Sequence, residues 1–352
     1  MSIEIETNRP AGLIQSGLLS PPMVNRRVWH LIYGGAFAAI VAVGVLAVGI
    51  NPHSLWQEII KSVRSLRVLK DLVILFGTYA VFSVLECVLP AAGPRKPLHG
   101  YWLNLKITTL EYLAIPILGG LTGVGVIALG NRLGLGWIDL RFSTGHGLID
   151  LVLGFLLSMF IYDFFFYWFH RFQHESFLWQ QHKLHHMDEQ LCAFTRESWF
   201  EVLLEDLFIG IPQAILFKLN PAQGAIFGVM ATGWNTLIHT NIKVHLGPLG
   251  VLFNGPQGHR IHHSRMREHY DRNFAAFFPI WDLLFGTYHH PKKDEYPLTG
   301  VQGEKEVQTL LEAAALPIRE WHKMFHAWGK RRSAVRLDGR ITTASTGKEH
   351  NE

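Results

Sequence analysis

Three short runs concentrate the side chains best suited to holding a metal. HRFQH places His170 and His174 four apart, HKLHH places His182, His185 and His186 at i, i+3 and i+4, and HRIHH repeats that spacing with His259, His262 and His263. Residues three or four apart share a helix face, so each run predicts a set of imidazoles converging on one point. Between the second and third runs stands His239, in HTN at the end of an apolar stretch. Ten of the 20 histidines lie between His170 and His263, where average usage would place about two. Neutral imidazole is the commonest metal ligand, and two copies of HxxHH beside HxxxH are read as ligands. The isolated His30, His53, His99 and His322 are read as structural, and His289 and His290 as surface residues.

The eight clustered histidines and His239 make nine, too many for one ion, so two metals are expected. Imidazole suits iron, zinc, copper and nickel alike. A redox site at a lipid surface favours iron with dioxygen. Zinc hydrolysis is disfavoured, because HExxH would begin at His174 and Glu175 but Leu178 stands where its second histidine belongs. Cys87 and Cys192 are too few for an iron–sulfur cluster or a disulfide framework. The run from Gly123 and Gly125 to Ala128 imitates a dinucleotide fingerprint but lies within an apolar segment, where it reads as close helix packing. Electrons are therefore expected from an external donor, a reductase with ferredoxin or cytochrome.

The elements that must position these residues are apolar. The composition is 49% hydrophobic and 17% charged, which is unusual for a soluble globule. Four runs, Val28–Ile50, Asp71–Pro90, Ile107–Gly130 and Leu148–Phe169, approach the roughly 20 residues that cross a bilayer. The first is longer than the core of a cleaved signal and is expected to remain. Leu55, Trp56, Ile59, Ile60, Val63 and Leu66 recur opposite Lys61, Arg64 and Lys70, as in a helix on the membrane surface. A net charge of +4 without a nucleic-acid motif fits an anionic membrane face and no nucleic acid. Arg95, Lys96 and Lys106 place their loop in the cytoplasm, and an even number of spans puts the histidine-rich half there too, although the basic stretch Lys61 to Lys70 then falls outside. The stretches Val202–Leu219 and Gly224–Ile238 are short for full spans and are expected to dip into one leaflet or cover the site. The chain divides into a flexible tail (1–27), membrane helices (28–169), a histidine-rich catalytic domain (170–300) and a C-terminal amphipathic helix with a flexible basic tail (301–352).

The ordered series HRFQH, HKLHH, HTN, HRIHHS and WDLLFGTY, with the ECVLP, GPRK and Asn104 approach from Glu86, resembles the fatty acid hydroxylase and sterol desaturase superfamily over about residues 70–290. The resemblance implies an all-α integral membrane bundle of about four spans with a cytoplasmic helical cap. It implies two iron ions held by His170, His174, His182, His185, His186, His239, His259, His262 and His263, with His245 as an optional further ligand. It also implies dioxygen as co-substrate and oxidation of a C–H bond in a membrane lipid, whether fatty acyl chain, sterol, carotenoid or polar lipid. Hydroxylation is preferred to desaturation. Ser198 and Ala275 depart from the family pattern, which leaves the substrate open. Residues placed to hold the outer nitrogens of ligating imidazoles are Asp163, Asp188, Arg196, Glu201, Asn241, Asp271, Asn273 and Asp282. The rival readings are a membrane metal carrier or sensor and a haem-bearing cytochrome.

Overall fold

The computed structural model of the protein describes residues 66–91, 99–111, 134, 136–139, 144–218 and 221–346. They are mostly helical. Helix α1 is Leu66–Val88, α2 covers 99–111, α3 is Gly147–Gln173 and α4 is Ser176–His186. The irregular stretch after the second histidine run leads into α5, Glu201–Glu205, a π-helical turn at Asp206–Gly210, and α6, Ile211–Leu216. Next come α7, Pro221–His239, α8, Pro256–His262, α9, Ile280–Phe285, and the long α10, Leu310–Thr346. Two-residue strands, Ile138–Asp139 (β1) and Phe217–Lys218 (β2), pair in parallel.

Helix α3 has 27 residues and is long and apolar enough to cross a membrane. At 1.5 Å per residue it reaches about 40 Å, more than the hydrocarbon core requires. Its two ends differ. Leu148, Ile149, Val152 and Leu156 are exposed at the start, whereas Tyr167, Phe169, His170 and Gln173 are buried at the end. Among the described residues, an exposed apolar face gives way, along one helix, to a polar site inside the protein. The expected run Asp71–Pro90 falls on α1, whose apolar stretch Phe76–Val88 is shorter than a span. Val28–Ile50, and Ile107–Gly130 beyond its first turn, lie outside the described residues, as do His30 and His53.

The site is braced from below by a core of Leu103, Ile107, Trp179, Leu184, Met187, Val301, Val307, Ala313 and Leu316, which joins α2, α4 and α10. Lys183 points to this side of α4, opposite the three histidines, and its buried ammonium reaches Glu304 at 2.6 Å and Glu320 at 3.2 Å. A second core, Met159, Ala276 and Phe277 with Phe155, Tyr162, Phe166 and Trp234, packs α3 and α7 against the loop before α9. Helix α10 extends to Thr346, well into the segment where a flexible basic tail is expected. Its Lys, Arg, Ala and Leu residues are good helix formers.

Candidate metal centre

The nine histidines named from the sequence come together in two buried groups. His170, His174, His182, His186 and His262 form one, and His185, His239, His259 and His263 form the other, with all candidate ligand atoms in each group within 4.8 Å of one another. The end of α3 supplies His170 and His174, α4 supplies three, α7 ends on His239, and α8 with its cap supplies the last three. Within α4 the pattern i, i+3, i+4 splits between groups, His182 and His186 to one and His185 to the other. Each HxxHH helix therefore contributes to both.

The inner nitrogens face one another. His182 and His262 each bring Nε2 to 3.1 Å from His186 Nε2, and His239 Nε2 lies 3.0 Å from His185 Nε2 and 2.7 Å from His259 Nε2. Ligand nitrogens about 2.1 Å from one ion stand about 3.0 Å apart at right angles, so this spacing suits metal coordination. His174 Nε2 is buried without a hydrogen-bond partner among the described residues, as a nitrogen reserved for a metal would be. Burial, reinforced by the neighbouring imidazoles, holds His182, His186, His259, His262 and His263 below the usual imidazole range. Burial brings His185 down to about 4. These rings are neutral at pH 7 and keep a lone pair to offer.

One loop orients three of the five rings in the first group. Asp271 Oδ1 lies 3.2 Å from His174 Nδ1, the Arg272 carbonyl accepts from His262 Nδ1 at 2.8 Å, and the Phe274 carbonyl accepts from His170 Nδ1 at 2.7 Å. Donation from Nδ1 leaves Nε2 to face inward. Presenting acceptors from three of four consecutive residues requires a tightly coiled backbone, and Asp271 (φ 58) and Asn273 (φ 53) adopt the left-handed conformation that Asn and Asp tolerate best. Asp282 holds the loop from one side, accepting from the amides of Phe274 and Ala275 at 2.8 and 2.9 Å. Asp163 holds it from α3, accepting from those of Ala276, Phe277 and Phe278 at 2.7–3.1 Å. In the second group, the His239 Nδ1 donates to the Asn235 carbonyl at 2.7 Å and His185 Nδ1 lies 2.9 Å from Glu197 Oε1.

A cavity of about 190 Å³ opens onto both groups, touching His170 and His182 of the first and His185, His239 and His259 of the second. Phe166, Ala231, Ala276 and Phe277 make one wall apolar, while Glu111, Glu197, Glu201, Glu205, Gln173 and Tyr162 make the other polar. Burial and the neighbouring carboxylates push Glu197 and Glu201 well above the ordinary carboxyl range.

The family model for fatty acid hydroxylase matches residues 155–287, which contain every one of these histidines and the orienting loop. This segment is similar to the fatty acid hydroxylase family. Alkylglycerol monooxygenase from Homo sapiens is 33% identical over 174 residues, covering 47% of this chain and 36% of that protein. Ornithine lipid hydroxylase OlsE from Rhizobium tropici is 30% identical over 153 residues, 42% of this chain and 46% of that protein. Lathosterol oxidase from Rattus norvegicus is 26% identical over 179 residues, 47% of this chain and 56% of that protein. The chain thus spans about a third to just over half of these relatives. No solved structure matches.

The remaining expected residues brace this segment at different distances. Asp188 accepts from Asn104 Nδ2 at 2.8 Å, and buried Arg196 pairs with Asn104 Oδ1 and with Glu306 at 2.8 Å, tying the stretch after α4 to α2 and to the segment before α10. Glu201 accepts from Gln173 Nε2. Asn241, expected to hold the outer nitrogen of an imidazole, accepts from Arg260 at 2.9 Å. Asn273 donates to the carbonyls of Gly258 and His289. His245 stands outside both groups, with Nδ1 2.8 Å from Gln257 Oε1. His290 is exposed, but His289 is half-buried and reaches Glu295. The sequence reading missed Glu111, Glu197 and Glu205 in the cavity wall. Part of a signal existed, since Glu201 and Glu205 stand four apart on one face of α5, and Glu197 precedes them by the same interval in the irregular stretch.

Proposed function

We propose that the protein is an oxygen-dependent lipid hydroxylase that binds two iron ions, one in each histidine group, and oxidises a C–H bond of a membrane lipid held in the cavity. The observation carrying this reading is the single cavity that reaches both groups. A substrate entering it lies against both metals at once. The irons with dioxygen and external electrons would supply the C–H oxidation; everything else falls to the chain. Neutral, buried imidazoles accept the ions, the 271–274 loop and Asn235 fix their direction, and the aromatic wall excludes water from the reacting carbon. The polar wall suits a carbon near a lipid's polar end, with Glu201 Oε2, which has no hydrogen-bond partner among the described residues, able to hydrogen-bond the adjoining group. Relatives named for alkylglycerol and ornithine lipid support a polar lipid over a sterol, and hydroxylation over desaturation.

The lipid would arrive from the bilayer along the exposed start of α3. We further propose a multi-pass protein with the histidine centre on the cytoplasmic side, where a soluble or membrane-bound electron donor can reach it. The test compares the lipids of aerated cells with and without the protein. A polar lipid heavier by one oxygen, absent when His186 is replaced by alanine, is expected. An unchanged lipid profile with a loosely exchangeable metal would point instead to a carrier.

A further inference from the structure

We infer that His269, His289 and Glu295 form a separate, mononuclear site for a divalent transition ion, with zinc the best fit. Their candidate ligand atoms lie within 4.8 Å of one another, and none belongs to the nine-histidine centre. Glu295 Oε1 stands 3.2 Å from His269 Nε2 and 3.3 Å from His289 Nε2. Charge-assisted hydrogen bonds between such groups close to about 2.7–2.9 Å. Tetrahedral ligands about 2.0–2.1 Å from zinc, by contrast, are separated by about 3.3 Å. The observed spacing matches the edge of a coordination polyhedron better than a hydrogen bond between imidazole and carboxylate.

The three side chains are also held in place from behind. His269 is buried and its Nδ1 lies 2.9 Å from Ser264 Oγ, which also accepts from the Met266 amide at 3.0 Å. With that oxygen accepting from Nδ1, the Nε2 lone pair turns toward the Glu295 carboxylate, an arrangement that a cation stabilises. Glu295 Oε2 accepts from the Lys292 amide at 2.9 Å and lies 3.2 Å from His289 Nε2, while Oε1 is the oxygen near both rings. Burial pushes the Glu295 carboxyl up, but the Lys292 amide and the imidazoles outweigh it and hold the group below the ordinary carboxylate range. Gln257 fixes the backbone, donating to the carbonyls of Lys292 at 2.7 Å and Glu295 at 3.0 Å, and the His289 amide donates to Asn273 Oδ1 at 2.8 Å.

Two imidazoles and one carboxylate suit zinc, whereas magnesium and calcium favour all-oxygen sets. His289 is 25% exposed and Glu295 18% exposed, which leaves a path for the ion and room for a water as fourth ligand. The ion would staple the 264–273 loop to the 287–299 segment. His269 lies two residues before Asp271, so the staple would steady the loop that aims His174, His262 and His170 without touching the lipid or its oxidation.

The test titrates the purified, iron-loaded full-length protein with zinc chloride while measuring zinc and iron per chain and the thermal midpoint. Expected is one zinc per chain beyond the iron, with a raised midpoint, and iron content unchanged. Glu295→Gln, nearly isosteric but a poor ligand, and His289→Ala, at a half-exposed position, should each lose that zinc and the midpoint rise while keeping their iron. His290→Ala, at the exposed neighbour, should keep both. Zinc bound equally by wild type, Glu295→Gln and His289→Ala, no zinc in the wild type, or zinc bound only as iron is displaced would each overturn the proposal.

Discussion

Each ligating imidazole must be both neutral and aimed, and the groups behind the rings set how much each substitution costs. His239 is aimed by a carbonyl four residues earlier on its own helix, so His239→Gln is expected to remain folded in the membrane fraction while losing iron and activity; retained iron and turnover would remove it from the site. Glu197 Oε1 stands 2.9 Å from His185 Nδ1 but outside hydrogen-bond geometry, so Glu197→Gln should weaken iron binding in a competition titration by less than the roughly 10–100-fold of a hydrogen-bonded partner. The same burial makes the metal-free protein sensitive to acid. His185 is brought from 6.5 to about 4 in the folded chain, so the unfolded chain binds the extra proton first. Stability should rise with pH across that window and fall as metal-free protein is acidified from about 6.5 towards 4. A denaturation midpoint flat over that range would show that these rings are not held neutral. The clusters themselves were legible, because their spacing is a local property of helices. The carboxylates were less so: an acidic residue between Arg196 and Ser198 reads as solvated until α2, α3 and α5 fold around the cavity.

At the scale of elements, the 271–274 loop organises the first histidine group. Asp271 and Asn273 were expected near the site, but their left-handed backbone, and the acceptors that Asp271, Arg272 and Phe274 present, arise from packing under Asp282 and Asp163, some of it across more than 100 residues of sequence. No local pattern encodes that. Asn273→Ala removes the donors to Gly258 and His289 and places a β-carbon in a conformation that alanine tolerates poorly, at a cost of about 1–3 kcal/mol. Asn273→Gly should restore the backbone but not the hydrogen bonds, and so fall between the two. Thermal melts of the three proteins, with iron analysis, check this order; equal stability would mean that the loop does not carry the strain assigned to it. The boundary drawn at 170 between membrane helices and catalytic domain falls inside α3, since one helix carries both the exposed apolar turns and His170. Hydropathy reports the first property and histidine spacing the second, and neither shows that they share a rod.

For the whole molecule, the arrangement places the nine-histidine centre at the buried end of a helix whose start is apolar and exposed, with α10 and the Lys183 ion pairs holding it from the other side. The apolar composition and the histidine order were enough to propose a membrane-associated lipid oxidase. The polar cavity wall, which bears on the choice of lipid, emerges only when distant segments meet. Purified protein should be inactive with NADH or NADPH alone and regain turnover when a ferredoxin or cytochrome with its reductase is added. Full activity without a partner would reveal a reductase function within the chain. The most direct test of the central claim is elemental analysis of iron per chain in the purified protein and in two variants, His186→Ala from the five-histidine group and His259→Ala from the four-histidine group. About two tightly held irons are expected in the wild type, with loss of iron and of lipid oxidation in both variants. A fully active wild type holding one iron or none, or undiminished iron in both variants, would contradict a two-metal centre built from these histidines.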